Sequence, residues 1–328
     1  MVDRILGDGW KGSIVSPLFR ILEEGGLPKG NEPMSRRTED RILIVLFLAP
    51  AALLYTLFVV YPGLDAFFVS LFEWRGMDPQ LGPFVGLHNF IHFFEDPNAQ
   101  QAVWHNLYLL VVPTLLTLVL ALLFAEMIRA RIKGGAFFQT VFFFPNVLSM
   151  VVVGILWGFI LAPTFGLVNG FLRLVNLGQL AQPWLGIPGL VMPSISAVLV
   201  WMAAGYYMVL LVSAMKNIPH ELYELADLEG ANGWQQFWGI TLPLVWDVLR
   251  VVITLLILGA IQQFALIWVL TEGGPNGASE VMGTFVYKNA FRYQNIGYGN
   301  AAAVIMFLIV FALSIFVFRW MARETVEY

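Results

Sequence analysis

The chain is 328 residues long, 59% hydrophobic and 12% charged, whereas about a quarter of the residues of an ordinary soluble domain are charged. That balance excludes a soluble globular protein and predicts an all-α integral membrane protein. The lack of cysteine removes disulfides, thiolate metal sites and cysteine nucleophiles together, and a net charge of -4 offers nothing to nucleic acid.

Residues 1–41 read as a tail. It holds seven basic residues, Arg4, Lys11, Arg20, Lys29, Arg36, Arg37 and Arg41, and as many acids. No apolar run in it has the length of a signal peptide, and residues 14–24 suit a short surface helix. The remainder, 42–328, reads as one membrane domain. A spanning helix needs about 20 mostly apolar residues. Six stretches qualify: 42–61, 107–127, 137–161, 191–214, 246–270 and 301–320.

Lys and Arg concentrate in cytoplasmic connections. With six spans, the tail shares its side with Arg129, Arg131, Lys133, Lys216, Arg250, Arg319 and Arg323, fourteen in all, against Arg75, Arg173, Lys288 and Arg292 opposite. Both termini are therefore expected inside, together with the connection between the fourth and fifth spans.

The span centres hold no Asp, Glu, Lys or Arg; Glu126, Asp247 and Arg250 sit near ends. A proton- or sodium-coupled transporter commonly keeps an acidic residue at mid-membrane, and none is seen here. No G-x-x-x-x-G-K-[ST] phosphate loop occurs, so no nucleotide site of that kind is expected in this chain. His88 and His92 have helical spacing but lack a ligand set around them, and no metal or other cofactor is expected. Asn146, Ser149 and Trp157 in the third span, Ser194, Ser196, Trp201, Tyr206 and Tyr207 in the fourth, and Thr254, Gln262, Gln263, Phe264 and Trp268 in the fifth are polar or aromatic. They suit a path for a sugar, which stacks on aromatic rings and hydrogen-bonds through its hydroxyls. They equally suit interhelical hydrogen bonding and interfacial anchoring. Gly154 and Gly158 permit close helix approach.

The connection 215–245 is amphipathic. Pro219 suits a first helical turn, and Glu221 and Glu224 complement the positive end of the dipole. Gly230 suits a stop, and Asn232 three residues before Gln235 suits a capping box for a second short helix. Leu222, Leu225, Ala226 and Leu228 predict an apolar face; His220, Glu221, Glu224, Asp227 and Glu229 predict a polar, mostly acidic one. No Lys or Arg lies within 218–243, unlike most helices that rest on a membrane surface. A basic protein partner is the expected counterpart, and a helix resting on the membrane surface is the alternative.

Within this connection, Glu224-x-Ala226-x-x-x-Gly230 followed by Ile240-x-Leu242-Pro243 resembles the E-A-A-x-x-x-G-x9-I-x-L-P loop of permease subunits in binding-protein-dependent ATP-binding-cassette importers. Leu225 departs from the usual Ala. The flanking Ile218-Pro219-x-Glu221-Leu222-Tyr223 and Trp234-Gln235-x-Phe237 are similar to the carbohydrate branch. So are Tyr61-Pro62-Gly63, Gly86-Leu87-x-Asn89-Phe90 and Thr271-x-Gly273-Gly274-Pro275 in the outward connections.

The resemblance implies a type I importer permease in the cytoplasmic membrane of a prokaryote. Its partners would be a second, homologous permease, two ATP-binding subunits that carry ATP and magnesium, an extracytoplasmic solute-binding protein, lipid and a sugar or oligosaccharide. Glycerol phosphate or a polyol-like solute is the alternative cargo, and a stand-alone secondary transporter or channel the alternative class. Carried over by residue, Glu224 would pair with a basic residue of the ATPase, Ala226 would allow close approach and Gly230 the bend. Glu221, Asp227, Ile240, Leu242 and Pro243 complete the expected coupling set.

Overall fold

A computed structural model describes residues 36–76, 80–130 and 133–321, with side chains between 44 and 319. The expectations for the tail before residue 36 and for Arg131 and Arg323 lie outside the described residues.

The chain divides into two compact units, one ending at Tyr61 and one beginning at Pro62. In the first, α1 (Arg36–Tyr55) runs into a π-helical turn, Thr56–Val60. Every side chain described there, from 44 to 60, is exposed. An apolar helix with no covered face is stable in lipid, where its backbone is satisfied internally.

The chain continues with α2 (Tyr61–Val69), all but its first residue in the second unit, then α3 (His88–Glu95) and the long α4 (Pro97–Arg129). Asp96 caps α4 through its carboxylate, which accepts from the Asn98 amide at 2.8 Å, and Pro97 fills the first turn, where no N–H is needed. There follow α5 (Gly135–Val147), α6 (Met150–Ile160), α7 (Leu167–Leu174) and α8 (Pro188–Met215). The loop 216–245 carries α9 (His220–Leu228), α10 (Gly233–Gln236) and α11 (Leu242–Leu244). The chain ends with α12 (Trp246–Ile261), α13 (Ala265–Thr271), α14 (Met282–Tyr287) and α15 (Ile296–Met321).

α4 is the spine. Its fully buried Ala99 and Ala102, Leu109, and Ala121 and Ala125 enter three successive apolar clusters. Small residues at these positions let neighbouring backbones approach, the usual basis of helix packing in lipid. Gly205 of α8 does the same against α5: an added Cβ would lie 1.8 Å from the Phe142 carbonyl oxygen. Gly154 of α6 admits α13, since a Cβ there would meet Val269 Cγ1 at 2.7 Å, while Gly158 faces open space.

Four helices are long and apolar enough to cross a bilayer alone, Ile44–Val69, Pro97–Arg129, Pro188–Met215 and Ile296–Arg319, and two bent pairs bring the number to six if each is one span. The first bend falls inside the predicted third span, 137–161, and the second just before the predicted fifth, 246–270. α5 and α6 meet at 102° across Leu148 and Ser149, and the segments Gly233–Leu244 and Trp246–Ile261 meet at 77° at Val245. The predicted fifth span, 246–270, is moreover interrupted after Ile261, and helix resumes at Ala265. Apolar residues flank both bends, so hydropathy alone does not reveal them, whereas the polar pair Gln262 and Gln263 marks the break after Ile261.

The outward patterns have structural causes. Asn89 donates to the carbonyls of Ser70 (2.9 Å) and Phe72 (3.0 Å), stapling the turn before α3. Gly273, at φ +84, leaves no room for a side chain, because a Cβ would lie 2.4 Å from a Glu280 carboxylate oxygen. That carboxylate is buried and paired with Lys288.

Candidate functional site

The loop 216–245 is built by its own local signals. Pro219 stands at the N-cap of α9, with ψ 132, one residue before the expected first turn. At the other end the Gly230 amide bonds the Asp227 carbonyl (3.0 Å) and the Ala231 amide the Ala226 carbonyl (2.9 Å), with Gly230 at φ +80. This pairing satisfies the last carbonyls of the helix and requires a left-handed residue, which glycine supplies without steric cost. The capping box forms as expected: the Asn232 amide donates to Gln235 Oε1 (2.8 Å) and the Gln235 amide to Asn232 Oδ1 (3.0 Å). Gln236 then ties the two helices, donating to Asp227 Oδ1 (2.5 Å) and the Ala231 carbonyl (3.2 Å).

The roll of α9 departs from the expected one. Tyr223, 5% exposed, is its anchor; the Tyr223 hydroxyl shares a hydrogen bond of 3.0 Å with Thr241 Oγ1. The Arg129 guanidinium lies 4.2 Å from the centre of the Tyr223 ring and donates from Nε to Glu126 Oε2 at 2.8 Å. With Tyr223 turned inward, Leu225 and Leu228 are carried outward beside Glu221 and Glu224, and Leu228 is 85% exposed. The outward face is therefore mixed, carboxylates alternating with leucines, rather than purely acidic. Trp234 and Trp238, both exposed and edge to face at 5.6 Å, lie on the next turn of the chain. Ala226 is half-buried and Asp227 is engaged within the loop. Ile240, Leu242 and Pro243 belong to the elbow at which the chain turns back into the helical bundle, ahead of the buried Val245.

Of the expected path residues, Tyr207 and Gln263 come together, lining a cavity of about 80 Å³ with Pro113, Thr114, Thr117 and Gly259. Gln263 Nε2 donates to the Gly259 carbonyl (3.0 Å), and its buried Oε1 has no hydrogen-bond partner among the described residues. Such an oxygen invites a donor. Trp201 packs edge to face on Trp157 at 5.4 Å, and Tyr206 on Tyr207 at 5.1 Å. Phe264 stacks on Trp268 at 5.6 Å. Asn146, Ser149 and Gln262 do not line this cavity.

One residue of this region escapes sequence reading. Asn106, 9% exposed, donates to the Ile261 carbonyl (3.2 Å), freed by the break in the fifth span, and accepts from the Met282 amide (2.7 Å) at the start of α14. Its neighbour His105 bonds the Glu280 carbonyl through Nδ1 at 2.7 Å. Broken helices persist at membrane depth only where such groups are satisfied within protein. The predicted second span begins at residue 107, one past Asn106, which therefore looked like part of a loop.

The helices, the broken spans and the projecting loop together define a multi-pass helical membrane protein with the frame of an importer's membrane subunit. The structure superposes with a TM-score of 0.75 on a chain of a bacterial alginate ABC transporter solved in complex with an alginate pentasaccharide-bound periplasmic protein, at 21% identity and covering 87% of this chain and 96% of that one. Residues 117–323 match the family model "Binding-protein-dependent transport system inner membrane component". The chain is 38% identical over 279 residues, 84% of its length and 95% of the relative's, to the probable ABC transporter permease protein YurN of Bacillus subtilis. It is 31% identical to the diacetylchitobiose uptake system permease protein NgcF of Streptomyces coelicolor, covering 88% of this chain and 86% of that one. It is also 33% identical to the alpha-glucoside transport system permease protein AglF of Rhizobium meliloti, covering 85% and 82%. The chain belongs to the family of binding-protein-dependent transport system inner membrane components.

Proposed function

We propose that the chain is the membrane-spanning subunit of an ATP-driven importer that admits a sugar or oligosaccharide handed over by an extracytoplasmic binding protein. Relatives named for diacetylchitobiose and alpha-glucoside uptake support the cargo class. The observation that carries the mechanism is the outward display of Glu221, Glu224, Leu225 and Leu228 on α9, a helix closed at its C-terminal end by the Gly230 turn and seated on the bundle through Tyr223. A rigid, amphipathic projection of this kind fits a groove in a cytoplasmic ATPase, one bound by each of the two permeases.

In this reading the tail and both termini are cytoplasmic, and the membrane is the cytoplasmic membrane of a prokaryote. The chain hydrolyses nothing itself, and ATP and magnesium stay with the ATPase subunits. Closure of the ATPase pair moves α9 as a unit, and contacts that differ between its two positions shift the spans between inward- and outward-open states. Gln263 and Tyr207 meet the sugar at the cavity, Gln263 accepting from a hydroxyl.

A relative named for osmoprotective compounds and another named for sulfoquinovosyl glycerol keep a polyol-like cargo as the second reading. Proteoliposomes test the class. Uptake of the ligand of the co-encoded binding protein is expected only when that protein, ATP and the ATPase subunits are all present. Uptake by this chain alone, without ATP, would make it a secondary transporter or channel.

A further inference from the structure

A cavity of about 600 Å³ opens where α4 and α8 end and α9 begins, and the transport reading gives it no role. Arg129, Lys216 and His220 line it together with Ile128, Val212 and Met215. Arg129 and Met215 are the last residues of two helices long enough to cross a bilayer. The cavity thus lies at the depth of lipid headgroups, on the side that holds fourteen of the eighteen Lys and Arg residues of the chain.

The donors remain available. Arg129 commits Nε and one terminal nitrogen to Glu126, leaving part of its five-donor fork unused. Lys216 is exposed and has no carboxylate within ion-pair distance among the described residues. His220 is 3.8 Å from Glu224, a contact at the solvent-exposed surface of α9. A basic rim beside an apolar wall, between membrane helices at their cytoplasmic ends, matches a phosphate joined to acyl chains; a guanidinium fork and an ammonium are the groups that bind phosphate.

We propose that this pocket binds the phosphate of an anionic phospholipid of the cytoplasmic leaflet, held by Arg129 and Lys216. Because Arg129 also lies over the Tyr223 ring, an occupied pocket braces the seat of α9 and makes coupling sensitive to lipid charge. This consequence rests on the coupling reading of the loop; the binding itself does not.

The test uses the assembled transporter in nanodiscs of phosphatidylcholine with and without phosphatidylglycerol. Native mass spectrometry counts retained lipid, and ATP hydrolysis stimulated by the binding protein is measured in parallel. The wild-type chain is expected to retain phosphatidylglycerol and to hydrolyse ATP faster with it. Lys216→Glu is expected to retain it at least about five-fold more weakly, the share of one basic residue near an anionic surface. It should also lose the stimulation while keeping the wild-type rate in phosphatidylcholine. Equal retention by both proteins overturns the site. Replacement of the lipid effect by glycerol 3-phosphate or inorganic phosphate overturns the lipid as its source. Lys216-dependent retention without any change in rate upholds the pocket and contradicts the bracing of α9 by its occupant.

Discussion

Gly230 carries the backbone conformation on which the end of α9 depends. An added Cβ would meet nothing within 4 Å, so the demand is for φ +80 and not for space. Gly230→Ala should therefore lower stability by about 1–2 kcal/mol, the usual strain of a left-handed alanine, and leave transport largely intact. Gly230→Pro cannot adopt that φ and removes the amide that bonds the Asp227 carbonyl. It should abolish ATP hydrolysis stimulated by the binding protein, with the chain still in the membrane; equal rates for the two variants would show that the geometry of this turn is irrelevant to coupling. Tyr223 teaches a different lesson at the same scale. Its burial turned α9 so that Leu225 and Leu228 face outward, whereas periodicity alone assigns leucines to the inside. Caps and stops were legible because Gly230, Asn232 and Gln235 act on their own neighbours. The roll was not, because it depends on Arg129 and Thr241, far away in sequence.

Among the elements, the interrupted fifth span decides where polar groups meet at membrane depth. The break between Ile261 and Ala265 exposes carbonyls that a continuous helix would satisfy, and Asn106 and Gln263 take up two of them. Asn106→Leu leaves the Ile261 carbonyl and the Met282 amide without this side chain, at about 1–3 kcal/mol for each buried group. Lower thermal stability of the purified complex and reduced uptake are expected. Asn106→Gln carries the same amide one methylene further out, and so keeps a group that donates and accepts. It should recover much of both properties. Equal loss in the two variants would deny Asn106 its hydrogen-bonding role. Helical content and the apolar stretches were readable from composition, but the bends at Ser149 and Val245 interrupt no apolar run, and Gln262 and Gln263 at the break after Ile261 read equally well as polar residues inside a continuous span. Asn106 was missed because the predicted span stopped one residue short of it, and the pairing of Tyr207 with Gln263 needs the fold to bring α8 and the break together.

For the molecule as a whole, α4 connects the regions that transport must link. Its first turn is capped by Asp96, which also accepts from the Tyr298 hydroxyl at 2.9 Å; further along, Asn106 holds the fifth-span break; its last turn presents Arg129 to the ring of Tyr223. A continuous helix between the break and the loop gives a direct mechanical route from one to the other. Two acidic residues near span ends are matched locally, Glu126 with Arg129 and Asp247 with Arg250 at 3.3 Å, which fits a machine driven from outside the bilayer. The central claim is that this drive enters at α9. Its most direct test is ATP hydrolysis and uptake by the assembled transporter carrying Glu224→Arg. The Glu224 side chain is 66% exposed and its contact with His220 is a surface pair, so the substitution leaves the fold unharmed. The account predicts wild-type amounts of the chain in the membrane with both stimulated hydrolysis and uptake lost; wild-type rates of both would contradict it.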